Sequence, residues 1–371
     1  MSKNTANELP HPDYILLGAV IILVILGVII LASISSSLSF ERFESTSYYL
    51  RHQIIFGILP GVVFAFFAFR VSMIFLKKII IALLVINLLL MGLVFLPKIG
   101  LSFGGAARWI TLGPILIQPS EFLKVTFSIY LASWLATRTL KKREWGNTLF
   151  AFLIITGILS LLLILQPDIG TLVIIVTTSV IMYFLADTPV WHTVLILLIG
   201  AFALFLLIKF EPYRANRFLV FLKPETDPMG MGYQIKQALI SVGSGGIFGR
   251  GLGMSRQKFG FVPQTMTDSI FAIFSEEAGF IGDFILIIVF LVIFWRGFKI
   301  ANHATDKFSR ILALAITFWV TLQAFINIGS MIGMLPLTGV PLPFISYGGS
   351  HLITELFGMG ILLNISRYST I

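Results

Sequence analysis

From Tyr14 to Phe40 the chain carries no charged side chain. That run is too long for the core of a secretion signal, and no small-residue cleavage site follows it closely, so it reads as a retained membrane-spanning helix. Comparable runs recur near 14–35, 53–69, 79–97, 119–136, 147–166, 168–186, 189–209, 269–295, 311–332 and 347–366. At about 20 residues per crossing, ten helices fit. Strands of a membrane barrel would be about 10 residues long and alternating, and these runs are neither. The expected fold is an all-α polytopic membrane protein: ten transmembrane helices forming one domain over 1–371, with a large loop at 210–268 between the seventh and eighth.

Composition narrows the function. Of 371 residues, 57% are hydrophobic and only 12% charged, against about 25% charged in soluble domains. A cytosolic enzyme, a nucleic-acid-binding protein and a disordered chain are excluded. The absence of cysteine removes disulfides, Cys-ligated zinc and thiol nucleophiles. The five histidines show no metal-ligand spacing. A net charge of +9 then reports orientation and anionic lipid. The bases of three connections (Arg70, Lys77 and Lys78; Arg138, Lys141, Lys142 and Arg143; Arg296, Lys299, Lys307 and Arg310) and Arg367 share one side. The positive-inside rule makes that side cytoplasmic, with both termini there.

The outer connections, 98–118 and 210–268, are different. The longer one holds Arg214, Arg217, Lys223, Lys236, Arg250, Arg256 and Lys258 against Glu211, Glu225, Asp227 and Asp268. Topology does not ask for bases outside, so an anion site is the functional reading and headgroup contact the bland one. Its Gly-rich stretch, Gly243–Gly253, follows an apolar run, Ala238–Val242. That suggests a segment packed on the helices rather than a free linker.

Ionisable groups at membrane depth are expensive, so each is a functional candidate. Glu121 and Lys124 are three apart on one helix face; they can neutralise each other or open a polar cavity outward. Asp168 follows Gln166-Pro167 and suits a helix cap. Asp268, directly before the eighth helix, suits a cap too. It also lies where the basic loop meets the membrane, the place for a general base acting on a lipid-anchored substrate. Glu276, Gly279 and Asp283 are spaced as one helix face, a polar seam, with Glu277 pointing elsewhere. Glu355 is a further intramembrane acid. Pro341 and Pro343 stiffen the last outer loop ahead of Gly348-Gly349-Ser350.

Several motifs together resemble a known family. They are Gly105-Ala106-Ala107-Arg108-Trp109-Ile110, Gln118-Pro119-Ser120-Glu121-Phe122-Leu123-Lys124 and Gln166-Pro167-Asp168-Ile169-Gly170-Thr171. Further along come Ser244-Gly245-Gly246-Ile247-Phe248-Gly249-Arg250-Gly251-Leu252-Gly253, then Thr267-Asp268-Ser269-Ile270-Phe271-Ala272 running into Glu276-Glu277, and Pro341 to Ser350 with Ser346 inside it. In this order they resemble the SEDS proteins (shape, elongation, division and sporulation; FtsW, RodA and SpoVE). Arg51 and Gln53 look like the family's pair at the outer start of the second helix. Gly253-Met254-Ser255-Arg256-Gln257-Lys258 is similar to the FtsW branch rather than the RodA branch. Gln264 and Met266 depart from the family's Glu and His, so no role is carried over onto them.

The resemblance implies a peptidoglycan glycosyltransferase of the bacterial cytoplasmic membrane. It would polymerise lipid II, donor and acceptor alike, on the outer face, for division or elongation. It would work with a class B penicillin-binding protein and other divisome or elongasome membrane proteins, and with no nucleic acid. The displacement is inverting, with undecaprenyl pyrophosphate leaving. Asp268 is then the catalytic base. Glu121, Lys124, Arg108, Arg214, Arg217, Lys236, Arg250, Arg256, Lys258 and Arg51 are candidates for binding substrate, and Asp168, Gln118, Glu276 and Ser346 for a supporting polar seam. Burial would raise the Asp268 pKa and nearby bases lower it; the sequence leaves the balance open. The sequence identifies no cofactor; a divalent cation, Mg or Mn, could assist the pyrophosphate. The competing readings are a lipid II flippase and a non-catalytic scaffold that activates the penicillin-binding protein.

Overall fold

The computed structural model describes residues 11–96, 99–103, 106–113, 115–138, 145–210 and 212–369. Lys3, Gly105, Lys141, Lys142, Arg143, Glu211 and the side chain of Arg214 lie outside the described residues.

Helices occupy each of the ten apolar stretches. They are α1 (Tyr14–Phe43), α2 (Tyr48–Gln53) continuing through a π-turn at Ile54–Ile58 into α3 (Leu59–Arg70), α4 (Met73–Leu93), α5 (Pro119–Arg138), α6 (Trp145–Leu165), α7 (Ile169–Leu185), α8 (Val190–Phe210), α11 (Ile270–Asn302), α12 (Lys307–Met331) and α13 (Gly349–Arg367). The 210–268 region adds α9 (Pro212–Leu222) and α10 (Met231–Gly245). Seven of the spans are long and apolar enough to cross a membrane. The remaining three fall outside that set because α7 is shorter, at 17 residues, and α5 and α13 are more polar, carrying Glu121, Lys124, His351 and Glu355.

Two helix boundaries differ from the sequence reading. Ser72 caps α4 by accepting from the Phe75 N–H, so Lys77 and Lys78 lie inside its first turns rather than in a connection. A lysine near a helix end keeps its stem in the apolar layer and its ammonium at the boundary. At the far end of α11, Arg296 is likewise helical and pairs with Asp13 at 2.6 Å. The Asp13 N–H donates to Ser366 Oγ at 3.0 Å. The start of α1 and the ends of α11 and α13 therefore meet at one end of the bundle.

α12 is the most enclosed span and forms the centre, packed by α5, α7, α11 and α13. α8 is peripheral and presents Trp191, Leu198, Phe202 and Phe205 outward. A small antiparallel sheet was not expected. β1 (Gly100–Phe103), β2 (Ala106–Leu112) and β3 (Ile115–Ile117) fill the connection before α5, with Leu101 opposite Trp109 and Ile110 opposite Ile117. The sheet is tied to the head of α13, where the Gln118 N–H donates to Ser350 Oγ at 3.1 Å and Ser350 donates to the Leu116 carbonyl at 3.2 Å.

Candidate active site

The heads of α7, α11 and α13 and the sheet converge at the end of the bundle opposite Asp13. Asp168 caps α7, its carboxylate 3.4 Å from the Thr171 N–H. It also accepts from Ser120 Oγ at 2.8 Å and Gln118 Nε2 at 3.4 Å. Arg108, carried by β2, lies 3.9 Å from that carboxylate and donates to the Gln166 and Pro167 carbonyls. Asp168, Gln118 and Arg108 thus form one polar corner.

Asp268 does not cap α11. Ser269 takes the N-cap position, without a side-chain bond, and among the described residues the Asp268 carboxylate accepts no hydrogen bond. Its backbone, in contrast, is held firmly. The Asp268 carbonyl accepts from Asn327 Nδ2 at 2.8 Å, the Thr267 carbonyl from Ser346 Oγ at 2.7 Å, and the Met266 carbonyl from the Tyr347 N–H at 2.8 Å. Asn327 also holds the Val340 carbonyl at 2.7 Å. The loop before α13 is therefore stitched to the segment carrying the aspartate. At Gly339 (φ +70°) a Cβ would come within 3.4 Å of Asp268 Oδ2, so a glycine there leaves the carboxylate its space.

The electrostatic surroundings are mixed. Burial pushes the Asp268 carboxyl up to about 6 from an ordinary 3.8; Arg108, Arg217 and His351 pull it down, and Asp168 adds to the rise. Arg217 reaches the site from α9, where it donates to the Leu337 carbonyl at 3.4 Å. The balance left open by the sequence goes to burial, and the group titrates near the working pH of a base.

Behind the aspartate lies a buried cluster. Lys124 is 2.7 Å from Glu121 and donates to Gln323 Oε1 at 2.8 Å. His351 puts Nδ1 3.1 Å from Glu121 Oε2 and Nε2 3.1 Å from Glu355 Oε1, the second contact off the line of a good hydrogen bond. Glu355 accepts from Gln323 Nε2 at 3.1 Å and from the Phe344 N–H at 2.7 Å. The i,i+3 spacing of Glu121 and Lys124 was visible in the sequence. Their partners were not, because Gln323, His351 and Glu355 come from α12 and α13; the His351–Glu355 spacing of four was the available signal.

The remaining bases divide differently from the sequence reading. Glu276 accepts from Ser255 Oγ and from the Arg256 and Gln257 N–H groups, and lies 3.5 Å from Arg250. Glu277 takes Ser33 Oγ at 2.9 Å and Lys258 Nζ at 3.4 Å. Lys258 is buried and donates to the Gly253 carbonyl at 2.6 Å. These groups pin the Gly-rich loop onto α11, and the described contacts of Arg250, Arg256 and Lys258 lie there rather than at Asp268. The seam of Glu276, Gly279 and Asp283 is corrected. Gly279 breaks the helix (φ +66°, ψ −172°), so spacing along it no longer defines one face, and Asp283 pairs with Ser275 Oγ at 2.8 Å instead. Arg51 is exposed and bonds locally to Ser47. Lys236 is exposed on α10, beside a groove of about 640 Å³ lined by Pro224, Tyr233 and Ile240. Among the described residues no three His, Asp or Glu side chains gather to hold a metal ion.

A family model described as a cell cycle protein, FtsW/RodA/SpoVE, matches residues 14–371. The chain belongs to the FtsW/RodA/SpoVE family. Stage V sporulation protein E of Bacillus subtilis (strain 168) is 38% identical over 358 residues, covering 96% of this chain and 98% of that protein. The probable peptidoglycan glycosyltransferase FtsW of Nitrosococcus halophilus (strain Nc4) is 38% identical over 362 residues, covering 96% and 92%. These relatives agree with the FtsW-like reading of residues 253–258. Among solved structures, a chain of a peptidoglycan synthase complex described as coordinating polymerization and crosslinking superposes with a TM-score of 0.75 at 28% identity, covering 96% of this chain and 98% of that one. Thermus thermophilus rod shape determining protein RodA gives 0.70 at 26% identity, covering 97% and 98%. With seven spans long and apolar enough to cross, this FtsW/RodA/SpoVE protein is a multi-pass protein of the bacterial inner membrane.

Proposed function

We propose that the chain is a peptidoglycan glycosyltransferase that polymerises lipid II, with Asp268 as its base. The observation that carries the assignment of the base is the Asp268 carboxylate, partly buried, held by its backbone and making no side-chain hydrogen bond of its own among the described residues, with Arg108 and Arg217 beside it. A structural cap would be hydrogen-bonded; this group is kept open. The acceptor's 4-hydroxyl gives its proton to Asp268 while its oxygen attacks C1 of the donor sugar. The bond from C1 to the pyrophosphate breaks on the opposite side, so an α-linked donor gives a β-1,4 product. Arg108 and Arg217 are placed to meet the charge that develops on undecaprenyl pyrophosphate. Among the described residues the acids do not form a metal site of their own.

Ten crossings with both termini inside follow from the same reading. The contact of Asp13 with Ser366 supports an even number, since it puts both ends of the bundle's chain on one side. Residues 210–268 are then extracytoplasmic. Crosslinking would come from a class B penicillin-binding protein, in keeping with the synthase complex that supplied the structural neighbour.

Purified protein, alone or with that partner, is given lipid II in detergent, where there is no membrane to cross. Asp268→Asn is expected to lower glycan synthesis by more than about 100-fold while elution and thermal unfolding stay those of the parent. The parent's rate is expected to fall as pH drops through about 6, where the carboxylate gains its proton. Normal glycan chains from the asparagine variant would remove Asp268 from the mechanism. No glycan from the parent under any condition would favour a flippase or a scaffold.

A further inference from the structure

The cluster behind Asp268 has no place in the chemistry just described. Its charge balance is informative. Both Glu355 oxygens and Glu121 Oε2 accept hydrogen bonds, and with both carboxylates ionised the two acids bring two negative charges. Lys124 answers only one of the two negative charges. An uncompensated charge buried at membrane depth is costly. His351 stands between the two acids with a ring nitrogen toward each, 3.1 Å from Glu121 and 3.1 Å from Glu355. As an imidazolium it makes the cluster neutral.

His351 also lies in the first turn of α13, directly after the loop that is stitched to Met266 and Thr267, the residues next to Asp268. The charged groups facing Asp268 are Arg108 from β2, Asp168 from the head of α7, Arg217 from α9 and His351 from α13. Those facing His351 are Glu121 and Lys124 from α5, and Glu355 on its own helix, with the neutral Gln323 from α12. Of the three cations near Asp268, two are placed to be drawn toward an arriving pyrophosphate. His351, buried and held by two acids, would stay behind.

We propose that His351 is a positioning residue for the polymerisation step: held as an imidazolium between Glu121 and Glu355, it supplies a fixed positive charge behind the Asp268 carboxylate and keeps it ready to accept the acceptor's proton. This rests on Asp268 being the base. His351 neither touches substrate nor carries the proton, which passes from the acceptor hydroxyl to Asp268 and from there to solvent.

The test is the pH profile of lipid II polymerisation by the purified protein with its penicillin-binding partner, for the parent, His351→Gln, His351→Lys and Asp268→Asn. A charge in direct contact shifts a neighbour by about 1–3 pH units, and one set back behind a loop by less, about half a unit. The acid limb of the glutamine variant should therefore lie about half a unit above the parent's. The lysine variant should keep the limb at or below the parent's position. A purely structural role would lower the rate at every pH and leave the limb in place. Limbs that coincide after scaling, or a lysine variant displaced upward like the glutamine one, overturn the proposal. An active Asp268→Asn sinks the base assignment first, and this inference with it; an inactive one with an unmoved glutamine limb sinks only His351. Should both His351 variants fail to fold, the parent protein with 15N-labelled imidazoles decides. Both ring nitrogens of His351 protonated at pH 7 supports the proposal, and a neutral tautomer overturns it.

Discussion

Lys124 donates to Glu121 at 2.7 Å and to Gln323 at 2.8 Å, so its ammonium is fixed between two helices rather than along one face of its own. Read as an isolated i,i+3 pair, Glu121 and Lys124 should tolerate exchange of their charges. The structure argues otherwise. Glu121→Lys would set an ammonium against His351, and Lys124→Glu would set a carboxylate against Gln323 Oε1. Removing one member of a buried ion pair costs about 3–5 kcal/mol, so Lys124→Met is expected to lower the thermal unfolding temperature in detergent strongly. The double exchange should recover little of that loss; recovery to the parental value would show that only the mutual charge matters. At this scale the sequence was partly legible. The acids and their neighbours in the chain could be found because cost at membrane depth singles them out. Whether Asp268 capped a helix or stood open could not, since a shift of one residue in the helix start hands the cap to Ser269. His351 and Gln323 were invisible as partners because nothing local reports which helices meet.

At the scale of elements, the head of α11 shows where periodicity misleads. Glu276, Gly279 and Asp283 have helical spacing, yet Gly279 adopts φ +66° and the Gly-rich loop enters the break: the Phe280 N–H donates to the Gly246 carbonyl and the Ile281 N–H to the Ile247 carbonyl. Glu276 and Glu277 then clamp residues 255–258 from below. Of the basic residues in this loop, Lys258 and Arg250 anchor it to α11, while the Arg256 side chain is exposed. The packing of α10 on α11, with Ala238 and Ser241 buried, follows the expectation from the apolar run. A Cβ at Gly279 would lie 2.2 Å from the Gly249 nitrogen, and its positive-φ, extended backbone, a conformation essentially reserved for glycine, costs an L-residue about 1–3 kcal/mol. Gly279→Ala should therefore release the loop. Limited proteolysis is expected to cut the variant between 246 and 258 several-fold faster than the parent; equal cutting rates would show that the break is not what holds the loop.

For the whole molecule, the apolar stretches that form helices were legible and their burial was not. The peripheral α8 is plain in the sequence as an apolar run, and so is α12, although α12 is the most enclosed span. The inward-facing α5 and α13 are diluted by Glu121, Lys124, His351 and Glu355. The polar interior is what three-dimensional packing adds, and it makes the topology testable from contacts rather than from charge counts alone. Asp13, Arg296 and Ser366 meet at one end of the bundle, while Asp268, Gln118 and Ser350 belong to the other. If the Asp268 end is extracytoplasmic, Glu225 must be outside, and His303 and Tyr368 inside. The chain has no cysteine, so single introduced thiols can be read without background. Glu225, His303 and Tyr368 are all exposed, which lets a maleimide reach each of them. In spheroplasts, a membrane-impermeant maleimide should label Glu225→Cys at once, and His303→Cys and Tyr368→Cys only after permeabilisation. Labelling of Tyr368→Cys from outside would make the number of crossings odd if the N-terminus is inside, and would contradict the Asp13–Ser366 contact. Labelling of His303→Cys from outside would turn the protein over and place Asp268 on the wrong face for a substrate presented outside the membrane.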